Sequence, residues 1–231
     1  MSGGSASARD EAKRNLLRII ADAKREGSVK SSSFGEELSQ AISTLEALNP
    51  TVSPADSDLI SGPWSLIYTG GDEASRRQKE GLIGSTVTEI TGASDGGSKL
   101  PLGRRLTTLA GRLVQNKGNF QDIYAAEGKV FNRAVLSVIG VPLELKIEGA
   151  CTRVPEDEHK ATRLAVSFRK VDFTVGGRFK FSIPLGWAND GNGPQGWVDT
   201  TYVDEGSDAS PAMRLGRGDK GSVFVTVRRP E

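Results

Sequence analysis

Leu143-Glu-Leu-Lys-Ile-Glu-Gly-Ala-Cys151 decides the fold class. Leu143, Leu145, Ile147, Gly149 and Cys151 fall on one side of an extended chain, and Glu144, Lys146 and Glu148 on the other. Successive strand side chains point to opposite faces, so this alternation marks a strand with one dry and one wet side. The same period extends in both directions. Upstream, Trp64, Leu66 and Tyr68 share one face, with Ser65, Ile67 and Thr69 on the other. Thr86, Thr88 and Ile90 alternate more weakly. Phe120, Tyr124 and Ala126 suggest a strand that turns at Glu127-Gly128-Lys129 into Val130–Val138, forming a hairpin. Downstream, Leu164, Val166 and Phe168 take even positions but Val171, Phe173 and Val175 odd ones, which calls for a bulge near Arg169-Lys170. Phe179–Ile183, Trp197–Val203 and Ser222–Arg228 complete about eight or nine strands. Antiparallel strands in that number close into a barrel, which removes exposed edges and can enclose one small ligand.

The front of the chain has a different rhythm. Ala12, Leu16, Ile19, Ile20 and Ala23 make a one-sided helix from Asp10 to Lys24, and Gly27 stops it. Phe34, Leu38, Ile42, Leu45 and Leu48 form the stripe of a second helix, with Ser33 and Glu36 as a capping box and Asn49-Pro50 as its end. The organisation expected is a flexible tail over residues 1–8, a helical hairpin over 9–58 packed on the outside, and a barrel over 59–231. The segment Lys99–Lys117 interrupts the strands. Leu102, Leu106, Leu109 and Leu113 recur at helical spacing beside Arg104, Arg105 and Arg112, so a short basic amphipathic helix is expected there.

Composition excludes several functions. With 30 Lys+Arg against 29 Asp+Glu, the net charge of +1 offers no global attraction to nucleic acid. One cysteine, Cys151, cannot form an intrachain disulfide, and one histidine, His159, leaves too few ligands for a Cys/His zinc site. Cys151 sits on an apolar face, and His159 lies in the charged stretch Val154–Lys160 expected as a solvated loop, so neither reads as a nucleophile or a catalytic base. No apolar run approaches the roughly 20 residues of a spanning helix. Gly70-Gly71 and Gly96-Gly97 lack the spacing of phosphate loops, and Arg217-Gly218-Asp219 reads as a turn rather than an adhesion signal.

Two blocks carry a family likeness. Leu45-Glu-Ala-Leu-Asn-Pro-Thr51 leads to Gly62-Pro-Trp-Ser-Leu-Ile-Tyr-Thr69. Gly196-Trp-Val-Asp-Thr-Thr-Tyr-Val-Asp204 is followed by Arg214-Leu-Gly-Arg-Gly-Asp-Lys-Gly-Ser-Val-Phe-Val225. Together these resemble the plastid lipid-associated proteins, or plastid fibrillins, over about Asp10 to Arg228. The resemblance implies a lipocalin-like barrel that binds or organises prenyl lipids, carotenoids or acyl compounds. It also implies a place in plastids, at thylakoids or lipid droplets, and offers no catalytic residues or cofactor. Gly206-Ser-Asp-Ala-Ser-Pro211 departs from the pattern and implies a longer hairpin loop.

Gly62-x-Trp64 is also similar to the first-strand signature of lipocalins, which implies a tryptophan closing one end of the barrel under an arginine. Arg214 and Arg217 are the candidates, since a guanidinium stacks on an indole face. Trp64, Leu66, Tyr68 and Trp197 are candidate interior residues. Asp199 and Thr201 share the face of Trp197 and could orient a head group; alternatively Asp199 pairs with an arginine and fixes its strand. Trp187, in the Gly/Asn-rich loop Pro184–Gly196, could rest at the entrance. The Leu102–Leu113 helix packs on the barrel, or serves as a lid or a contact with anionic lipid. The reading is a non-catalytic binder of apolar lipid-type molecules. Its rivals are a scaffold with a filled barrel, and an isomerase or cyclase using an inward acid such as Asp199.

Overall fold

The computed structural model describes residues 3–29, 31–71, 114–154, 159, 161–186, 194–219 and 221–230. Helices α1 (Gly3–Glu26) and α2 (Ser32–Glu46) precede nine strands. These are β1 (Gly62–Gly71), β2 (Val114–Tyr124), β3 (Lys129–Val138), β4 (Val141–Arg153), β5 (Arg163–Val175), β6 (Phe179–Pro184), β7 (Gln195–Val203), β8 (Met213–Gly218) and β9 (Ser222–Arg228). The sheet runs β4-β3-β2-β1-β9-β8-β7-β5-β6, and β4 also pairs with β5, so eight strands form a closed antiparallel ring with β6 outside it. This is the mainly antiparallel architecture with two leading helices that the sequence pattern implies.

β5 is the strand that closes the ring. Its first half, Arg163–Ser167, pairs with β7, whereas Lys170–Val175 pairs with β6. Arg169 is the extra residue of a bulge opposite Glu148/Gly149, and it moves the inward positions from Phe168 to Val171.

Some boundaries differ from the sequence expectation. α1 starts at Gly3, so most of the segment read as a tail is helical. Its end is a Schellman motif: Gly27 has φ 71° and Ser28 N–H bonds Ala23 C=O at 2.9 Å. α2 is capped by Ser31, whose hydroxyl accepts from Phe34 N–H at 3.2 Å, two residues ahead of the expected Ser33. Val114–Lys117, expected to end a helix, belongs to β2, because Val114 to Asn116 pair with Leu136 to Val138 of β3. The alternation at Thr86–Ile90 and the Leu102–Leu113 segment lie outside the described residues.

Two apolar regions result, one on each side of the sheet. Outside, Leu16, Ile20, Phe34, Leu38 and Leu45 of the helices pack on Tyr202, Met213, Leu215, Val223 and Val225. Inside, the end of the ring where β1 begins is filled by Trp64, Ile123, Val130, Cys151, Leu164 and Val203, with Ile60 from the chain just before β1. The helices are anchored by charge as well. Lys13 is 1 % exposed and donates to Asp204 at 2.6 Å. Asp204 also accepts from Tyr202 Oη at 2.8 Å and Met213 N–H at 2.9 Å. Burial, with the Asp204 carboxylate beside it, pushes the Tyr202 phenol well above its ordinary range. The departing loop grips α1 too, since Ser207 Oγ donates to Asp10 at 2.9 Å.

Removing one partner of a buried ion pair strands the other charge, which typically costs about 3–5 kcal/mol. Lys13→Ala and Asp204→Ala are each expected to lose stability on that scale in chemical denaturation. Arg18→Ala, which breaks an exposed pair with Asp22 on the same helix, is expected to lose no more than about 0.5 kcal/mol.

Candidate functional site

The floor of the ring interior is built from β1 outward. Trp64 is fully buried and its indole N–H donates to Ile60 C=O at 2.9 Å. Two guanidinium groups lie over it: Arg228 at 4.6 Å from the ring centroid and Arg214 at 5.4 Å. Arg228 is opposite Trp64 in the β1–β9 ladder, and its guanidinium also donates to Leu59 C=O at 2.6 Å. Gly62 makes room for it. The backbone there has φ 122°, which favours glycine, and a Cβ would crowd the end of the Arg228 side chain.

Arg217 lies elsewhere. It makes a forked contact with Glu46 of α2 at 3.0 and 2.9 Å, on the helix side of β8. Arg214 points inward because it is an odd number of residues away on the same strand.

Above the floor is a cavity of ≈ 200 Å³. Leu66, Ala134, Leu145, Ile147 and Phe224 give it apolar walls, while Arg214, Gln121, Asn132 and Thr226 supply polar atoms. The lining continues to Thr69 and Asn116, towards the end of the ring where β1 stops at Gly71 and β2 begins. Arg214 is 3 % exposed. Burial, with the like charge of Arg228 adding to it, pulls its pKa down to about 10. A polar hollow of ≈ 360 Å³ lies by Glu144, Lys146, Asp172 and Lys180. Asp172 there is already held by Ser182 at 2.6 Å and Lys170 at 3.3 Å, leaving little demand for a ligand.

The other sequence candidates separate. Leu66 lines the cavity, but Tyr68 does not share its face. Ile67 is the extra residue of a bulge, which turns Tyr68 outward to meet Phe34 edge-on at 5.6 Å. A second bulge at Thr201 breaks the expected common face of Trp197, Asp199, Thr201 and Val203. Val203 packs beside Trp64, whereas Asp199 faces away from the cavity and holds Arg163 in a forked pair at 2.8 and 2.9 Å. Arg163 in turn lies 3.9 Å from the Trp197 ring centroid. Asp199 therefore supplies no inward acid. Trp197 borders a small crevice beside Val166, Phe168 and Phe224. Trp187 and Leu102, Arg104, Arg105, Leu106, Leu109, Arg112 and Leu113 lie outside the described residues. Cys151 is buried, and burial pushes its thiol pKa up. Among the described residues no cluster of acids, histidine and cysteine could hold a metal ion, and no helix is long and apolar enough to cross a membrane.

Sequence reasoning missed Gln121, Asn132, Thr226 and Arg228. The aromatic residues of β2 drew attention to the wrong face: Phe120 lies under Arg133 and Arg229, and Gln121 on the opposite face points inward. The hairpin turn held the signal, because continuing its register places Asn132 directly across from Gln121.

The PAP_fibrillin family model matches residues 10–227. The chain belongs to that family. Among curated relatives, the probable plastid-lipid-associated protein 12, chloroplastic, of Arabidopsis thaliana is 28 % identical, over 82 % of this chain and 37 % of its own length. Plastid lipid-associated proteins 1 and 2, chloroplastic, of Brassica campestris are 26 % and 27 % identical, over 86 % and 94 % of this chain and 61 % and 68 % of theirs. The chain thus spans well under two thirds of the first of these PAP_fibrillin relatives. Their names support plastid placement for this family member. No solved structure matches the chain.

Truncating a fully buried tryptophan costs about 3–5 kcal/mol. Trp64→Ala is expected to lower stability by that amount in urea titration. Arg217→Ala removes a half-exposed pair and is expected to cost no more than about 1 kcal/mol.

Proposed function

We propose that this chain binds an apolar, lipid-type molecule inside its strand ring, without catalysis, and so serves lipid storage, transfer or organisation at plastid membranes and lipid droplets. The cavity between the Trp64 floor and the Thr69–Asn116 end carries this reading. It has the character of a ligand pocket, mostly apolar with a few converging polar groups. Its ≈ 200 Å³ is below the roughly 300–1,000 Å³ of pockets that enclose a whole drug-sized ligand. A long prenyl or acyl molecule would therefore place one end here and extend towards the Thr69–Asn116 end. Burial of that end contributes about 25 cal/mol per Å² of apolar area. The membership of the PAP_fibrillin family and the lipid-associated names of its relatives support a role with lipid, and the cavity favours binding over a scaffold with a filled interior.

Organic extraction of the purified protein followed by mass spectrometry, and titration with prenyl quinones, carotenoids and fatty acids monitored by tryptophan quenching, test the proposal. Saturable one-to-one binding is expected for one of these classes. Ala134→Trp, which fills the cavity from β3, is expected to weaken it at least tenfold. Unsaturable quenching, or binding untouched by Ala134→Trp, would remove the cavity from the function.

A second observation favours contact with a lipid surface. The ring end opposite Trp64 holds the β3–β4 and β5–β6 turns, tied by Gly176 N–H bonding Pro142 C=O at 2.8 Å. Ile139 is 70 % exposed and Phe179 75 %, with Val141, Phe181 and Ile183 also exposed. Phe179, Phe181 and Ile183 share one face of β6, where Phe181 stacks on Phe173 at 4.7 Å. Contiguous exposed apolar groups mark interaction surfaces. Changing Phe179, Phe181 and Ile183 to serine is expected to reduce co-flotation with phosphatidylcholine vesicles several-fold. Undiminished flotation would assign the contact to another surface.

A further inference from the structure

The polar atoms on the cavity wall are ordered by one residue. Arg214 has only donors, so the Gln121 side chain must turn its oxygen towards Arg214 Nη2. The Gln121 amide nitrogen then faces Asn132 and donates to its Oδ1 at 2.9 Å. Both amide orientations follow from the arginine, with no freedom to flip. All the acceptors in this relay are used. What remains is Arg214 Nε–H and Asn132 Nδ2–H, two buried donors with no partner. Asn132 is 6 % exposed and Arg214 3 %. Of the four such unpartnered atoms among the described residues, these two belong to side chains on the cavity wall.

The charge is unbalanced in the same place. The lining contains no aspartate or glutamate to balance Arg214. Arg133 borders the cavity, but its guanidinium is on the other face of β3, over Phe120 and 3.9 Å from Glu144. The charge nearest to Arg214 in effect is that of Arg228, which has the same sign. A buried cation without a counter-ion is costly, and a buried donor without an acceptor adds to that cost. A ligand supplying negative charge and acceptor oxygens at this point relieves both costs.

We propose that the cavity floor is a carboxylate site, in which Arg214 and Asn132 bind the acid head of a long-chain amphiphile. The apolar chain then runs past Leu66, Ala134, Leu145 and Ile147 towards Thr69 and Asn116. This inference rests on the ligand-binding reading above and names its ligand class. A neutral carbonyl would satisfy the two donors but leave the charge of Arg214 uncompensated. Trp64 beneath the head group excludes water from the far side.

The test compares dodecanoic acid, its methyl ester and acetate by calorimetric titration into the full chain at pH 8. The acid is expected to bind at least tenfold tighter than the ester, and acetate far more weakly than either. Arg214→Met keeps much of the side-chain volume and removes the buried charge; the ratio of acid to ester affinity is expected to fall to about one. Asn132→Leu is expected to reduce that ratio several-fold, and stands as a second readout should the arginine variant fail to fold. Equal binding of acid and ester by the native protein overturns the carboxylate site while leaving the apolar cavity in place. So does a preference that survives Arg214→Met. Acetate binding as tightly as dodecanoate overturns the lipid head group in favour of a small-anion site. No binding of acid or ester at all overturns the inference together with the ligand-binding reading.

Discussion

β5 must be shared between two neighbours, and the rest of the molecule depends on that sharing. All 13 of its residues are strand, but only its first half meets β7. Without that contact the sheet would be open, with β7 and the first half of β5 as unprotected edges. The bulge at Arg169 allows the change of partner, since it bends the strand and resets which side chains face inward. The second half then leaves the ring with β6, and the inward apolar row continues through Phe173 onto Phe181. Closure thus creates the interior at one end and exposes an apolar ledge at the other.

The interior is divided by the same geometry. At the closed end, Trp64 and the arginines above it occupy the space, and Gly62 leaves room beside the Arg228 guanidinium. Further along, the walls part and polar donors enter a mostly apolar space. Proteins bury an arginine rarely, because its hydration is lost and must be replaced. On the helix side the replacement is internal: Lys13 has Asp204, and Arg217 has Glu46. Arg214 has an amide and a face of tryptophan, which replace part of what water gave it. That difference separates structural charges from the one aimed at the cavity.

Membership of the PAP_fibrillin family gives these features a context without specifying them. The relatives are named for lipid association, and the closed floor, the apolar wall and the apolar ledge are the features on which the proposed lipid binding rests. The outer helices take no part in the cavity. Their apolar stripes meet the other face of β7, β8 and β9, so the sheet is dry on both sides there and solvated on one side elsewhere.

The sequence by itself determined the elements and their faces wherever pattern is local. The alternation at Leu143–Cys151, the stripes of the two helices, the phase change in β5 and the hairpin at Gly128 are all readable, because side-chain direction follows directly from two-residue or 3.6-residue periodicity. Gly62-x-Trp64 was legible as a closing element in the same way. Tertiary structure alone decided which arginine meets which partner and which face of β1 and β7 turns over midway. One inserted residue at Ile67 and another at Thr201 reverse every side chain beyond them, which sends Tyr68 to the helices and separates Asp199 from Val203. Nothing in the local composition announces these two bulges, since they answer to the curvature of a ring closed by the pairing of β5 with β7. The Arg214–Gln121–Asn132 relay is of the same kind: three ordinary polar residues become a site only when three strands bring them to one wall.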